Sequence, residues 1–214
     1  MILRPEYRDV KIICYYLGKI ILGIGACMVV PLTVAAVFKE WDPALDFVIG
    51  MMASFAAGFL FVHIFRTEEK LSWMHGMIVA SLSWLAATVL SAIPLYISGH
   101  FLSFLDACFD TMSGYATTGL SIIQDLDHLS YSHNMWRHFI MFIGGQGIVV
   151  IALTFLIKTS GAFTMYAGEA RDEKILPNVI HTARFIWLVS LVYLVMGTTA
   201  LAIVRVYEGM PLVR

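Results

Sequence analysis

Residues 113–121 read SGYATTGLS, an uncharged run with two threonines and a glycine between an apolar segment and an acidic loop. The chemistry this run offers belongs to its backbone. Glycine permits the positive φ that lets successive carbonyls point one way, and small or β-branched neighbours keep the strand narrow. A ring of such carbonyls can replace the water shell of a dehydrated monovalent cation. Other chemistry is poorly supplied. Ser113 and Ser121 have no partner for a nucleophilic triad, and neither H-E-x-x-H nor G-x-S-x-G occurs. His128, His133 and His138 recur every five residues, which does not put a metal pair on one helix face, and His63 and His75 sit at the inner ends of apolar runs. No metal site, cofactor or catalytic residue is assigned. Thr117–Thr118–Gly119 alone occurs in many ordinary turns, so its meaning depends on the elements that hold it.

Those elements are membrane helices. The chain has 214 residues, 59% hydrophobic and 14% charged, with a mean hydropathy of +0.80. Soluble domains carry roughly 25% charged residues. A net charge of -1 excludes a basic nucleic-acid binder. Cys14, Cys27 and Cys108 are scattered among apolar residues and form neither a disulfide framework nor a metal spacing. A crossing needs about 20 mostly apolar residues. Five stretches qualify: Ile12–Phe38, Ala44–Phe65, a third within Leu71–Leu105 that ends near Pro94–Ser98, His138–Ile157 and Phe185–Val204. The first is too long for a signal-peptide core and reads as a retained anchor.

Between the third and fourth spans lies Ser103–Tyr115, too short to cross. Ser103 is placed to cap it, and Asp106 in its first turn suits the helix dipole. Asp110 follows one turn later on the same face. Segments of this length between spans read as re-entrant helices, with a surface amphipathic helix as the alternative. Arg4, Arg8, Lys11, Lys19, Arg66, Lys70, Lys158, Arg171, Lys174 and Arg184 fall on one side; Lys39, Arg137, Arg205 and Arg214 fall on the other. The positive-inside rule therefore puts the N-terminus in the cytoplasm and this chain's C-terminus outside. A re-entrant helix descending from outside must return as non-helical chain, tolerated at that depth only when buried in protein or lining a watery cavity. Ala116–Leu120 occupy the returning position. The alternative is an extracellular turn without a ligand.

The order span, half-helix, TTGLS, polar loop, span is followed by DLDHL (Asp125–Leu129), MWRHF (Met135–Phe139) and IGGQGIVVIAL (Ile143–Leu153). This succession resembles the first pore repeat of the Trk/Ktr/HKT superfamily of potassium transporters, and the two preceding spans resemble its TrkH-like group. The resemblance is strongest over Ser113–Leu153. It implies an all-α integral membrane fold with five transmembrane helices, one re-entrant pore helix and a non-helical filter strand. Residues 1–70 would hold two N-terminal spans and 71–158 the first repeat; 159–179 would be a cytoplasmic connector and 180–214 the first helix of an incomplete second repeat. The potassium ligands would be the backbone carbonyls of Thr117, Thr118, Gly119 and Leu120, with Gly119 as the filter glycine. The family's pore needs four repeats, so a chain with one is expected to be truncated or split, or to join further copies or a complementary chain. The family also implies potassium uptake at the cell (inner) membrane, with sodium or a proton as candidate coupling ions. Its cytoplasmic partner is a nucleotide-binding regulatory ring, and the loop Lys158–Asn178 lies on that side.

The remaining polar residues keep two readings each. Asp106 and Asp110 attract cations at the mouth, or Asp106 simply caps the helix. Arg137 is a snorkelling anchor, or pairs with Asp125 or Asp127 to brace the outer loop. Gly144, Gly145 and Gly147 let helices approach closely, or give the span a flexible, pore-facing segment. At the level of function, the alternative to a pore-forming subunit is a non-conducting assembly or regulatory partner of a full-length transporter. An intramembrane enzyme is disfavoured because paired catalytic groups are missing.

Overall fold

Pro31 breaks the first apolar run. It has no N–H to give the Cys27 carbonyl, so the run forms α1 (Tyr7–Cys27) and α2 (Val29–Phe38) on either side of Met28. The helical ladder resumes where Leu32 donates to the Met28 carbonyl. The remaining elements are α3 (Trp41–Ile64), α4 (Trp73–Ile97), α5 (Phe104–Tyr115), α6 (Tyr131–Thr159) and α7 (Val179–Tyr207). This computed structural model describes residues 6–69, 71–159 and 179–209, and among them there is helix but no strand.

Four segments of the described chain are long and apolar enough to cross a membrane: Tyr7–Phe38, Trp41–Ile64, Met74–Ile97 and Arg184–Tyr207. The fifth expected span, His138–Ile157, lies within helix α6, but side chains from 148 to its end are outside the description. Residues 160–178 of the expected connector lie outside it as well. The helix α5 has 12 residues, too few to cross.

The chain divides into two compact units, one ending at Gly145 and one beginning at Gln146, so that α6 contributes to both. In the first unit a seam of small residues joins α1 to α3. A Cβ added at Gly18 would lie 2.8 Å from the Cβ of Phe61 and 3.1 Å from the Gly58 carbonyl. One added at Gly25 would lie 3.1 Å from Ser54. In lipid no hydrophobic force pushes helices together, so close backbone approach supplies the packing energy. The helix α3 also makes room for α4, because Gly50 faces Pro94 where a Cβ would sit 2.9 Å from the proline ring. At one end of this bundle His75 Nε2 lies 2.9 Å from Asp9, and Arg8 pairs with Glu69. Around the other end Met28, Phe47, Leu95, Trp136 and Ile140 are fully buried together.

The second unit holds the later part of α6 and α7. Gln146 Nε2 donates to Ser190 Oγ at 2.9 Å. Thr198 and Thr199 return their hydroxyls to the carbonyls of Leu194 and Val195, which leaves α7 apolar outside. Leu188, Leu191, Val195 and Leu201 are exposed, as suits a lipid-facing helix.

Gly18→Val should lower the stability of the detergent-solubilised protein by about 1–3 kcal/mol, because the seam has no room for the branched side chain. Gly23→Ala, which points into open space, should leave the melting temperature at or above that of the parent. Thermal denaturation of both variants in one detergent checks the seam.

Candidate pore site

Ser103 begins α5 as the sequence requires. Its Oγ accepts from Asp106 N at 3.2 Å, while the Asp106 carboxylate accepts from Ser103 N at 3.0 Å. This reciprocal cap satisfies two donors that the first helical turn leaves open, so Asp106 is committed to the cap. One face of α5 is then bound to α4: Thr111 Oγ1 donates to the Thr88 carbonyl at 3.1 Å, and Tyr115 Oη lies 2.8 Å from Ser91 Oγ.

The helix ends in a closed turn. Thr117 N donates to the Gly114 carbonyl and Thr118 N to the Ser113 carbonyl, each at 2.9 Å, and Gly119 N reaches the same Ser113 oxygen at 3.4 Å. This is the Schellman pattern, with Thr117 in the left-handed position that glycine usually fills. Thr117 has φ +55° and Gly119 φ +76°. For a β-branched residue the first value carries a strain of about 1–3 kcal/mol, which the surrounding contacts must hold. A trans peptide sets its carbonyl opposite its N–H. With the N–H groups of 117–119 turned back onto α5, the carbonyls of 116–118 point away from the helix end. Among the described residues, no hydrogen bond ends on the carbonyl oxygens of Thr117, Thr118, Gly119 or Leu120, and all four residues are exposed.

Arg137 corrects two expectations. It is neither a snorkelling anchor nor a partner of Asp125 or Asp127. It is 9% exposed, and its Nε and Nη2 donate to Asp110 Oδ2 and Oδ1 at 2.8 and 3.0 Å. Nη2 also donates to Ser121 Oγ at 2.7 Å. One guanidinium therefore ties α5, α6 and the chain just after TTGLS. Asp110, 5% exposed and neutralised by this pair, is not an open cation attractor at the mouth. Asp125 is instead engaged by its neighbour His128, whose Nδ1 lies 2.7 Å away and whose hydrogen bond holds the carboxyl below the usual carboxylate range. Asp127 is exposed.

The glycines of α6 separate by role. A Cβ at Gly144 would fall 2.0 Å from the Tyr115 carbonyl oxygen, so α6 touches the backbone at the end of α5 only because this residue is glycine. At Gly145 an added Cβ would make ordinary contact with the Thr117 methyl at 3.5 Å, and at Gly147 it would meet nothing. Close packing is therefore the role of Gly144 and leaves Gly147 free.

Three contacts had no readable signal in the sequence. Glu40, at the turn between α2 and α3, accepts from Tyr131 N, Ser132 N and Ser132 Oγ at 2.8, 3.0 and 2.8 Å. It caps α6 from 91 residues away and puts a negative charge at that helix's N-terminus. His133, 2% exposed, places Nδ1 2.7 Å from Ser130 Oγ and Nε2 3.3 Å from Asp46. Trp136 Nε1 donates to the Ser91 carbonyl at 3.2 Å, so α4 receives α6 at the residue that also receives Tyr115. Among the described residues no group of three or more His, Cys, Asp or Glu is placed to hold a metal ion.

Helices of membrane-crossing length, with a short helix packed among them and a strained, carbonyl-presenting turn at its end, are the features of a multi-pass membrane protein. Residues 43–210 match the TrkH family, described as cation transport protein, and the chain belongs to that family. It is 33% identical over 201 residues to an uncharacterized cation transporter of Methanocaldococcus jannaschii, covering 94% of this chain and 42% of that protein. It is 28% identical over 209 residues to the Trk system potassium uptake protein TrkG of Escherichia coli, covering 95% of this chain and 42% of the relative. With TrkH of Halomonas elongata the identity is 28% over 190 residues, 85% of this chain and 39% of that protein. The chain thus spans about two-fifths of the length of these relatives.

Arg137→Gln should destabilise the protein by about 3–5 kcal/mol, since it leaves the Asp110 carboxylate buried without its counter-charge. Asp110→Asn combined with Arg137→Gln should cost less than the sum of the single changes. Denaturant unfolding in detergent measures the coupling.

Proposed function

We propose that this chain is a pore-forming part of a Trk-type potassium uptake system. Potassium ions pass the backbone carbonyls of Thr117, Thr118, Gly119 and Leu120, which take the place of water around the ion, and the membrane potential drives entry. The observation that carries this reading is the turn after α5, where carbonyls without hydrogen-bond partners among the described residues accompany two positive-φ positions, Thr117 and Gly119. The printed names of the TrkG and TrkH relatives, potassium uptake proteins, support the choice of ion.

In this reading α5 is a re-entrant pore helix. The helices α4 and α6 flank it as the two spans of one repeat, and α7 begins another. One such strand cannot surround an ion, so further repeats come from more of the same polypeptide, from other copies or from a complementary chain. The N-terminus lies in the cytoplasm, and the loop between α6 and α7 faces a cytoplasmic nucleotide-binding regulatory subunit. A sodium ion or proton is the candidate for coupling. The residues Asp110, Arg137 and Gly144 hold the strand in place and do not touch the ion.

Gly119→Ser in the assembled transporter should lower the preference for potassium over sodium, because a side chain at φ +76° forces the strand to move. Uptake of the two ions by cells lacking other potassium uptake measures the ratio. An unchanged ratio would remove Gly119 from the filter.

A further inference from the structure

We propose that Tyr115 is a positioning residue that sets the selectivity of the Thr117–Leu120 carbonyls through its hydrogen bond to Ser91; this rests on the filter reading above. Tyr115 is the last residue of α5 and stands two residues before the strained Thr117. It is held at both ends. Its hydroxyl lies 2.8 Å from Ser91 Oγ on α4, in a site where Ser91 is fully buried and Tyr115 is 6% exposed. Its backbone carbonyl is pressed against α6 at Gly144, where even a methyl group has no room.

The anchor itself is fixed. The Ser91 carbonyl accepts from Trp136 Nε1, and Trp136 is fully buried against Phe47 and Phe139. A shift of the tyrosine ring along α4 therefore cannot be absorbed by Ser91 moving with it. It passes into the end of α5, whose Ser113 and Gly114 carbonyls hold the N–H groups of 117–119. The carbonyls of 116–118 follow, since each peptide is planar. Discrimination between two monovalent cations depends on the spacing and field of such carbonyls. A hydrogen bond at the near end of the turn therefore governs the geometry that an ion meets at its far end.

Removing only the hydroxyl isolates this role. Tyr115→Phe keeps the ring, and Ser91 can return its own hydroxyl to the preceding turn of α4 as helical serines do. The ratio of rubidium to sodium uptake, per amount of inserted transporter, should fall roughly fivefold, which is about 1 kcal/mol of lost preference. Ser91→Ala should produce the same fall, and the double variant should fall no further, because both changes remove one interaction. The measurement is made on the assembled transporter in cells or vesicles, with Gly119→Ser alongside. A Gly119→Ser effect with an unchanged ratio in Tyr115→Phe and Ser91→Ala would overturn the positioning role and leave the filter reading standing. No effect from any of the three would overturn both. If the yield of Tyr115→Phe falls while the ratio of the surviving protein is unchanged, the bond serves stability alone and the proposal fails. Should Tyr115→Phe not insert, Ser91→Ala decides by the same ratio.

Discussion

The Asp110–Arg137 ion pair is the contact on which the arrangement around TTGLS depends. Two charges removed from water must recover a desolvation cost of several kcal/mol each, which demands good geometry. The pair meets that demand with two parallel hydrogen bonds from one guanidinium, and a third to Ser121 occupies another donor. That geometry leaves little freedom. Once Arg137 is satisfied, the middle of α5, the first turns of α6 and the exit of the turn are fixed relative to one another. The strained Thr117 then sits inside a frame closed on both sides, the condition under which an unfavourable φ persists.

The frame is built from polar contacts that use backbone carbonyls as acceptors. Thr111 and Trp136 both donate to carbonyls of α4, three residues apart on one face. In an apolar surrounding an indole N–H without a partner is costly, so Trp136 ties α6 to its place along α4. Thr111, by contrast, also has the Ala107 and Cys108 carbonyls of its own helix within reach at 3.0 Å. The Glu40 carboxylate applies the same rule to the start of α6, where it takes two backbone donors that the helix cannot satisfy itself. Small residues do the rest: Gly50 admits Pro94, and Gly144 admits the end of α5.

Much of this was legible in the sequence because it is local. Ser103 and Asp106 are three residues apart and declare a helix start, and a helix of that length cannot cross a membrane. Thr117–Gly119 follow directly and show where the helix must end. The break at Met28 was missed, although Pro31 signals it, because uninterrupted hydropathy hides a missing hydrogen bond. The partner of Arg137 was misjudged for a different reason. Asp125 and Asp127 are nearer in sequence, but Asp125 has a neighbour of its own in His128, and Asp110 reaches Arg137 only through the crossing of two helices. Glu40 and the approach of His133 Nε2 to Asp46 were opaque for the same reason, since each reaches across to another helix. Periodicity and caps report on one helix at a time, and the contacts that set the turn's position run between helices.

The central claim is that the carbonyls of Thr117–Leu120 ligate a dehydrated potassium ion. Thallium mimics potassium and scatters strongly, so an anomalous difference map of the assembled transporter soaked in thallium tests the claim directly. The account predicts a peak within coordination distance of these carbonyls that weakens when excess potassium is added and persists when excess sodium is added. Thallium bound elsewhere, with no peak at this turn, would contradict it.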